Sequence, residues 1–289
     1  MTVAAYLLLI VVGGYVVAVI EEWSASGRLR PTTPLLQGLA QLTRESLTPR
    51  RHDRTLFEAG PTLLLVAAVL ALAVLPMAPG LLPVELATGA LWLNAALVYV
   101  AVALLMAGWG PDGAYAMVGG FRFVGQFIAY AMLIVMPVTA VAMRAESLAM
   151  TAVIETQAPV WNAVAQPLGF VLFLLTAMAV CFLPPFDQPV AEAELAGGVL
   201  GEYTGARLAV VRLGRLVLVL TLALSVTVFY LGGWLGPWLP PAVWSLLKTL
   251  GVALVMLSAD GSFPACGPTG CWSGVGSWAF HWRSSTSSG

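Results

Sequence analysis

The sequence has little charge. Only 9% of its 289 residues are Asp, Glu, Lys or Arg, against about 25% in an average soluble domain. A chain this poor in charge cannot cover a globular surface with polar groups, which excludes an ordinary soluble enzyme and a disordered chain. With 13 basic and 14 acidic side chains the net charge is -1, so there is no basic footprint for nucleic acid. Cysteine is scarce too: Cys181 stands alone, and Cys266 and Cys271 are too widely spaced for a Cys-x2-Cys zinc pair. The only histidines, His52 and His281, lie far apart. There is no Walker-type nucleotide loop, dinucleotide fingerprint or nucleophile–histidine pair. Gly119-Gly120 and Gly197-Gly198 read as close-packing or turn glycines. The chain itself therefore carries no catalytic residue, metal site or redox centre that can be read from its residues.

What is abundant is apolar sequence: 60% of residues are hydrophobic and the mean hydropathy is +0.90. A bilayer-spanning helix needs about 20 mostly apolar residues. Spans are predicted near 3–20, 61–75, 87–107, 120–143, 164–183, 208–231 and 241–259. The runs are too long and too uniformly apolar for the alternation of a membrane β-barrel. The first lacks the basic flank and cleavage site of a signal peptide and reads as a retained helix. The expected fold is an all-α integral membrane domain over 1–259, with about seven transmembrane helices and one amphipathic surface helix. An irregular tail over 260–289 follows.

Arg28, Arg30, Arg44, Arg50, Arg51 and Arg54 crowd the first connection. That places it in the cytoplasm and the N-terminus outside. Arg122 and Arg207 fall at the inner ends of their spans; Arg144 falls outside. Within the first connection, Leu35, Leu36, Leu39 and Leu42 recur at helical spacing between Gln37, Gln41, Arg44 and Glu45. This amphipathic segment suits either a membrane surface or a partner protein. The connection between the fifth and sixth spans carries Asp187, Glu192, Glu194 and Glu202, interleaved with Phe186, Leu195 and Tyr203. It reads as a solvated loop or a partly buried pocket.

Ionisable groups inside spans are costly to insert and need a reason. Arg122, Gln126 and Tyr130 share one helical face, as do Arg212 and Arg215. Lys248 lies inside the seventh span, where a partner carboxylate or a wet cavity suits it better than snorkelling to the headgroups.

Several stretches resemble one family, the membrane H subunit of respiratory complex I (NADH–quinone oxidoreductase). The strongest is Pro185-Phe186-Asp187-Gln188-Pro189-Val190-Ala191-Glu192-Ala193-Glu194-Leu195, followed by Gly198 and Glu202-Tyr203-Thr204-Gly205. Leu35-Leu36-Gln37, Leu56-Phe57 with Gly60-Pro61, Gly108-Trp109, Tyr115-Ala116, Arg122 with Gln126 and Tyr130, Gln166-Pro167-Leu168-Gly169-Phe170 and Leu231-Gly232-Gly233-Trp234 occur in the expected order. The resemblance implies a subunit that helps form a quinone cavity and couples quinone reduction to proton translocation. It implies quinone as substrate, with NADH, FMN and Fe–S clusters held by partner subunits. The partners implied are other subunits of the membrane and peripheral arms, together with membrane lipid, in the inner (cytoplasmic) membrane of the cell. Candidate residues of the cavity and proton path are Arg122, Gln126, Tyr130, Asp187, Glu192, Glu194, Glu202, Arg207 and Lys248, with Arg207 as counter-charge to the loop acids. The alternatives are a scaffold subunit of a membrane-bound hydrogenase-type complex, or an independent transporter.

The chain departs from the family pattern in places. Family acids fall at Ala131, Val180, Val190 and Arg215, and the family's Arg-x-Gly-Pro-Asn signature after the first span is missing. The expected consequence is impaired coupling. The match stops near Ser258-Ala259, so the family's eighth helix is expected to be missing, with a poorly ordered end or a shifted reading frame in its place.

Overall fold

The structure, a computed structural model, describes residues 2–26, 31–184, 186–187, 189–190, 192–236 and 239–258. The expected tail lies outside the described residues. Among the described residues, twelve helices appear in chain order. The first six are α1 (Thr2–Ser26), α2 (Thr33–Thr43), α3 (Arg54–Leu72), α4 (Gly89–Trp109), α5 (Ala114–Ala145) and α6 (Met150–Glu155). The rest are α7 (Asn162–Ala165), α8 (Pro167–Val180), α9 (Glu192–Leu195), α10 (Gly198–Gly201), α11 (Gly205–Tyr230) and α12 (Pro241–Ser258). Among the described residues there is no strand, only an isolated bridge between Ala78 and Leu81.

The all-helical membrane architecture is as expected, and the count of seven spans is approximate. Among the described residues, α3, α4, α5, α11 and α12 are long and apolar enough to cross a membrane. A further long helix is α1, with 25 residues. The fifth expected span is broken. Gln166 takes φ -135°, ψ 63°, because a residue before proline is kept out of helical backbone by the Pro167 ring. What remains is α8, with 14 residues, about 21 Å long against a hydrocarbon core of about 30 Å. By contrast α5 runs for 32 residues and stops where Glu146 turns left-handed at φ 50°.

The centre of the bundle is α11. Every residue from Leu218 to Tyr230 is buried, with α1, α3, α8 and α12 packed around it. Three polar side chains survive there by donating to their own helix: Thr221 to Val217 O, Ser225 to Thr221 O and Thr227 to Ala223 O. Close crossings depend on missing side chains. A Cβ on Gly108 would stand 2.6 Å from Ala116 O, and one on Gly119 would stand 2.6 Å from Pro189 O. The first contact lets α4 and α5 touch; the second seats the acidic connection on α5.

Two tyrosines repair backbone that proline breaks. Pro61 lies inside α3 and cannot donate to Phe57 O, and Pro111 cannot donate to Ala107 O. The hydroxyl of Tyr203 lies 3.3 Å from the first carbonyl and 3.2 Å from the second. At the other end of α3, the hydroxyl of Tyr6 lies 2.7 Å from Leu72 O and 3.0 Å from Leu75 O. Pro76 and Pro79 follow four residues after each.

The helix α2 turns Gln41 inward rather than its leucines. Gln41 is buried, while Leu35, Leu36, Leu39 and Leu42 are exposed. The leucine stripe of the amphipathic helix is thus turned away from the bundle.

Candidate functional site

The acidic connection lies at the end of the bundle where α5 and α11 begin. The start of α5 carries Arg122, Gln126 and Tyr130 on one face, and all three meet the connection. Arg122 Nη1 donates to Glu194 Oε2 at 2.7 Å. Gln126 Nε2 donates to Phe186 O at 3.1 Å. The Tyr130 ring stands edge-on to Phe186, centroids 5.7 Å apart. A spacing of four residues puts these side chains one turn apart on the helix, and the same spacing lets one helix grip three points of a loop. Gln126 is buried and its Oε1 has no partner among the described residues. A buried acceptor of this kind calls for a donor from water, ligand or neighbouring chain.

Glu202 takes a different place. A Cβ on Gly113 would stand 3.1 Å from Glu202 Oε1. Gly113 is the residue before the first turn of α5, so the carboxylate sits beside unpaired N–H groups and the positive end of a long helix dipole. Asp187 lies in the same connection and is itself engaged. The backbone of Glu192 opens α9; its side chain lies outside the described residues.

Arg207 does not face the loop acids. Its Nη2 stands 3.7 Å from Glu58 Oε1, and its guanidinium lies over the Phe57 ring at 5.1 Å. Phe57 in turn stacks on Tyr203, with centroids 4.6 Å apart. Burial pushes the Tyr203 phenol pKa up, against the opposing pull of Arg207. The phenol is therefore a neutral donor throughout the working range of pH. Glu58 was missed in the sequence, although its spacing from Arg54 marked an ion pair, which stands at 3.4 Å.

Lys248 belongs to the opposite end of the bundle, away from the acidic connection. Among the described residues its partners are backbone carbonyls rather than a carboxylate. Nζ donates to Leu231 O at 2.6 Å, Leu235 O at 2.9 Å and Gly233 O at 3.2 Å. Trp161 and Trp244 cover it at 4.7 and 5.5 Å. The same region caps the end of α11: Gln157 Nε2 donates to Val228 O and Asn162 Nδ2 to Phe229 O. A cation and two amides thus satisfy carbonyls that a helix C-terminus leaves orphaned. An apolar cleft of about 290 Å³ beside Lys248 is lined by Phe170, Leu174, Leu231, Gly251, Val252 and Val255.

Among the described residues no group of three or more His, Cys, Asp or Glu could hold a metal ion. What the acidic end offers is fixed carboxylates next to apolar and aromatic walls, an arrangement suited to exchanging protons beside an apolar ligand.

These features define a multi-pass helical membrane protein with an acidic connection folded against one end of its bundle. The comparisons give the family directly: the chain belongs to the NADH dehydrogenase family, whose model matches residues 2–267. It is 35% identical over 247 residues to the H subunit of NADH-quinone oxidoreductase from Syntrophotalea carbinolica, an alignment covering 82% of this chain and 74% of that relative.

Proposed function

We propose that the chain is the membrane subunit of a complex I-type NADH–quinone oxidoreductase that helps form the quinone cavity. The observation that carries this reading is the attachment of the acidic connection to α5. Arg122, Gln126 and Tyr130 hold Glu194 and Phe186 at a polar mouth above an apolar bundle. The identity to a relative of that name supports it.

In this reading the chain supplies shape, dielectric and protonatable groups. NADH, FMN and Fe–S clusters belong to partner subunits of the peripheral arm, and other subunits complete the membrane arm in the inner membrane. Quinone enters an apolar space whose polar rim holds Glu194, Glu202 and Asp187. Arg122 keeps Glu194 oriented, so a proton given up or taken at the rim meets a fixed charge. Val180 is buried at 2% exposure and Leu183 at 1%, so the turn after α8 carries no charge there. Proton transfer through that turn would need bridging water, which weakens coupling.

The test is Glu194→Gln, alone and with Glu202→Gln, in the assembled complex. The expected result is a severalfold loss of NADH–quinone reductase activity with the amount of complex unchanged. Unchanged activity would reduce the connection to a solvated loop and remove this reading of the site.

A further inference from the structure

The apolar cleft of about 290 Å³ beside Lys248 lies between α8 and α12, both of which pack against α11. Phe170 and Leu174 on α8 face it from one side, and Gly251 and Val255 on α12 from the other. The Phe170 ring is fixed edge-on by Tyr230, with centroids 5.7 Å apart. Gly251 leaves room: a Cβ there would meet nothing within 4 Å. The flanks are apolar and exposed, with Val171 and Leu175 on α8 and Leu247 and Leu254 on α12. Water does not suit such a space, because a buried water needs two to four polar partners. A hydrocarbon chain does.

Lys248 sets the depth of the cleft and its charge. It comes seven residues after Pro241, about 10 Å along α12. Trp161 and Trp244 cover its ammonium at 4.7 and 5.5 Å, and tryptophans gather at the headgroup level of a bilayer. Gly251 and Val255 follow three and seven residues later, so the cleft runs about 5–10 Å deeper into the hydrocarbon. Other cations on the spans have carboxylates. Arg122, Arg207 and Arg215 stand 2.7, 3.7 and 3.6 Å from Glu194, Glu58 and Glu21. Lys248 has none among the described residues. Its three protons go to the carbonyls of Leu231, Gly233 and Leu235, which satisfy hydrogen bonding and leave the net charge in place. A charge within a span is costly and calls for an opposite one.

We propose that this cleft binds an anionic phospholipid of the leaflet opposite the acidic connection. One acyl chain lies between Phe170 and Gly251, and the phosphate at headgroup level supplies the counter-charge to Lys248. The attraction is one of charge rather than a direct hydrogen bond, since the ammonium protons are taken. A zwitterionic lipid would fill the groove equally well but would bring a second cation beside Lys248, so charge selects the headgroup. The site is remote from the acidic connection and does not depend on the quinone-cavity reading.

The test uses membranes carrying the whole complex and two photoactivatable probes, a phosphatidylglycerol and a phosphatidylcholine with the same diazirine-bearing acyl chain. After illumination, labelled peptides of this chain are read by mass spectrometry, and each probe is normalised to its total incorporation into the chain. Phosphatidylglycerol is expected to label the stretch from Lys248 to Val255 severalfold more than phosphatidylcholine does. Gly251→Leu, which fills the cleft, is expected to remove that excess while labelling elsewhere on the chain persists. Equal labelling by the two probes overturns the proposal. Absence of labelling overturns it too, because protein, either residues 260–289 or a partner subunit, then covers the cleft. An excess that survives Gly251→Leu in an assembled complex places the lipid elsewhere and also overturns it. If Gly251→Leu does not assemble, the ratio of the two probes on the unaltered chain decides by itself.

Discussion

Replacing Tyr203 by Phe removes one oxygen from a fully enclosed position. The ring stays stacked on Phe57, so shape is conserved and only the hydroxyl is lost. That hydroxyl carries one proton, shared between Phe57 O at 3.3 Å and Ala107 O at 3.2 Å. Both carbonyls have lost their helical donors to proline, so neither has an intrahelical bond to fall back on. Leaving a buried acceptor unmet costs about 1–3 kcal/mol. The proton serves one carbonyl at a time, so the expected loss is about 2 kcal/mol rather than twice that. In a chain of this size the midpoint of thermal unfolding in detergent should fall by several degrees. Tyr6→Phe removes a hydroxyl at the other end of α3, far from the acidic connection, where Leu72 O keeps the Leu75 N–H at 3.0 Å, and should cost no more than Tyr203→Phe. Quinone reductase activity per assembled complex should stay unchanged in both. A Tyr203→Phe variant of normal stability, or one that loses activity without losing stability, would refute the structural assignment of this tyrosine.

Lys248→Met should destabilise the chain by about 3–5 kcal/mol, since three carbonyls lose a charged donor together; Lys248→Arg should keep part of that, and a thermal-unfolding series checks both. Gly108→Leu should separate α4 from α5 and abolish assembly, read by native electrophoresis, whereas Gly14→Ala, which meets nothing within 4 Å, should be silent. Single cysteines at Ser46 and Thr151 should label from opposite sides of the membrane, with Ser46 on the cytoplasmic side; labelling from one side would contradict the assigned orientation. Protons moved per electron should be lower than in an ordinary complex I, because Val180 and Ala131 offer no ionisable group; an equal ratio in vesicles would contradict that.

Helix formation was legible wherever apolar runs were long, because burial of the backbone in lipid leaves a single-segment helix as the available solution. The shared face of Arg122, Gln126 and Tyr130 was legible from spacing, and so was the acidic connection that it grips. Four things were hidden. The fifth span broke at Gln166 because a proline effect outweighed an apolar run. Lys248 found carbonyls rather than a carboxylate, since free acceptors at the end of α11 depend on where two remote segments, around Gln157 and Lys248, come together. Arg207 and Arg215 chose Glu58 and Glu21, residues distant in sequence, so no local pattern announced either pair. The prolines that make Tyr203 and Tyr6 necessary were visible, but the pairing of each hydroxyl with its two carbonyls requires the packed bundle.

Membership of a quinone-reducing complex is tested most directly by purification through an affinity tag on this chain. Partner subunits bearing flavin and Fe–S clusters are expected to copurify, NADH to reduce them, and the preparation to reduce quinone at a rate that Glu194→Gln lowers severalfold. A chain that purifies alone, or with partners that NADH does not reduce, would contradict it.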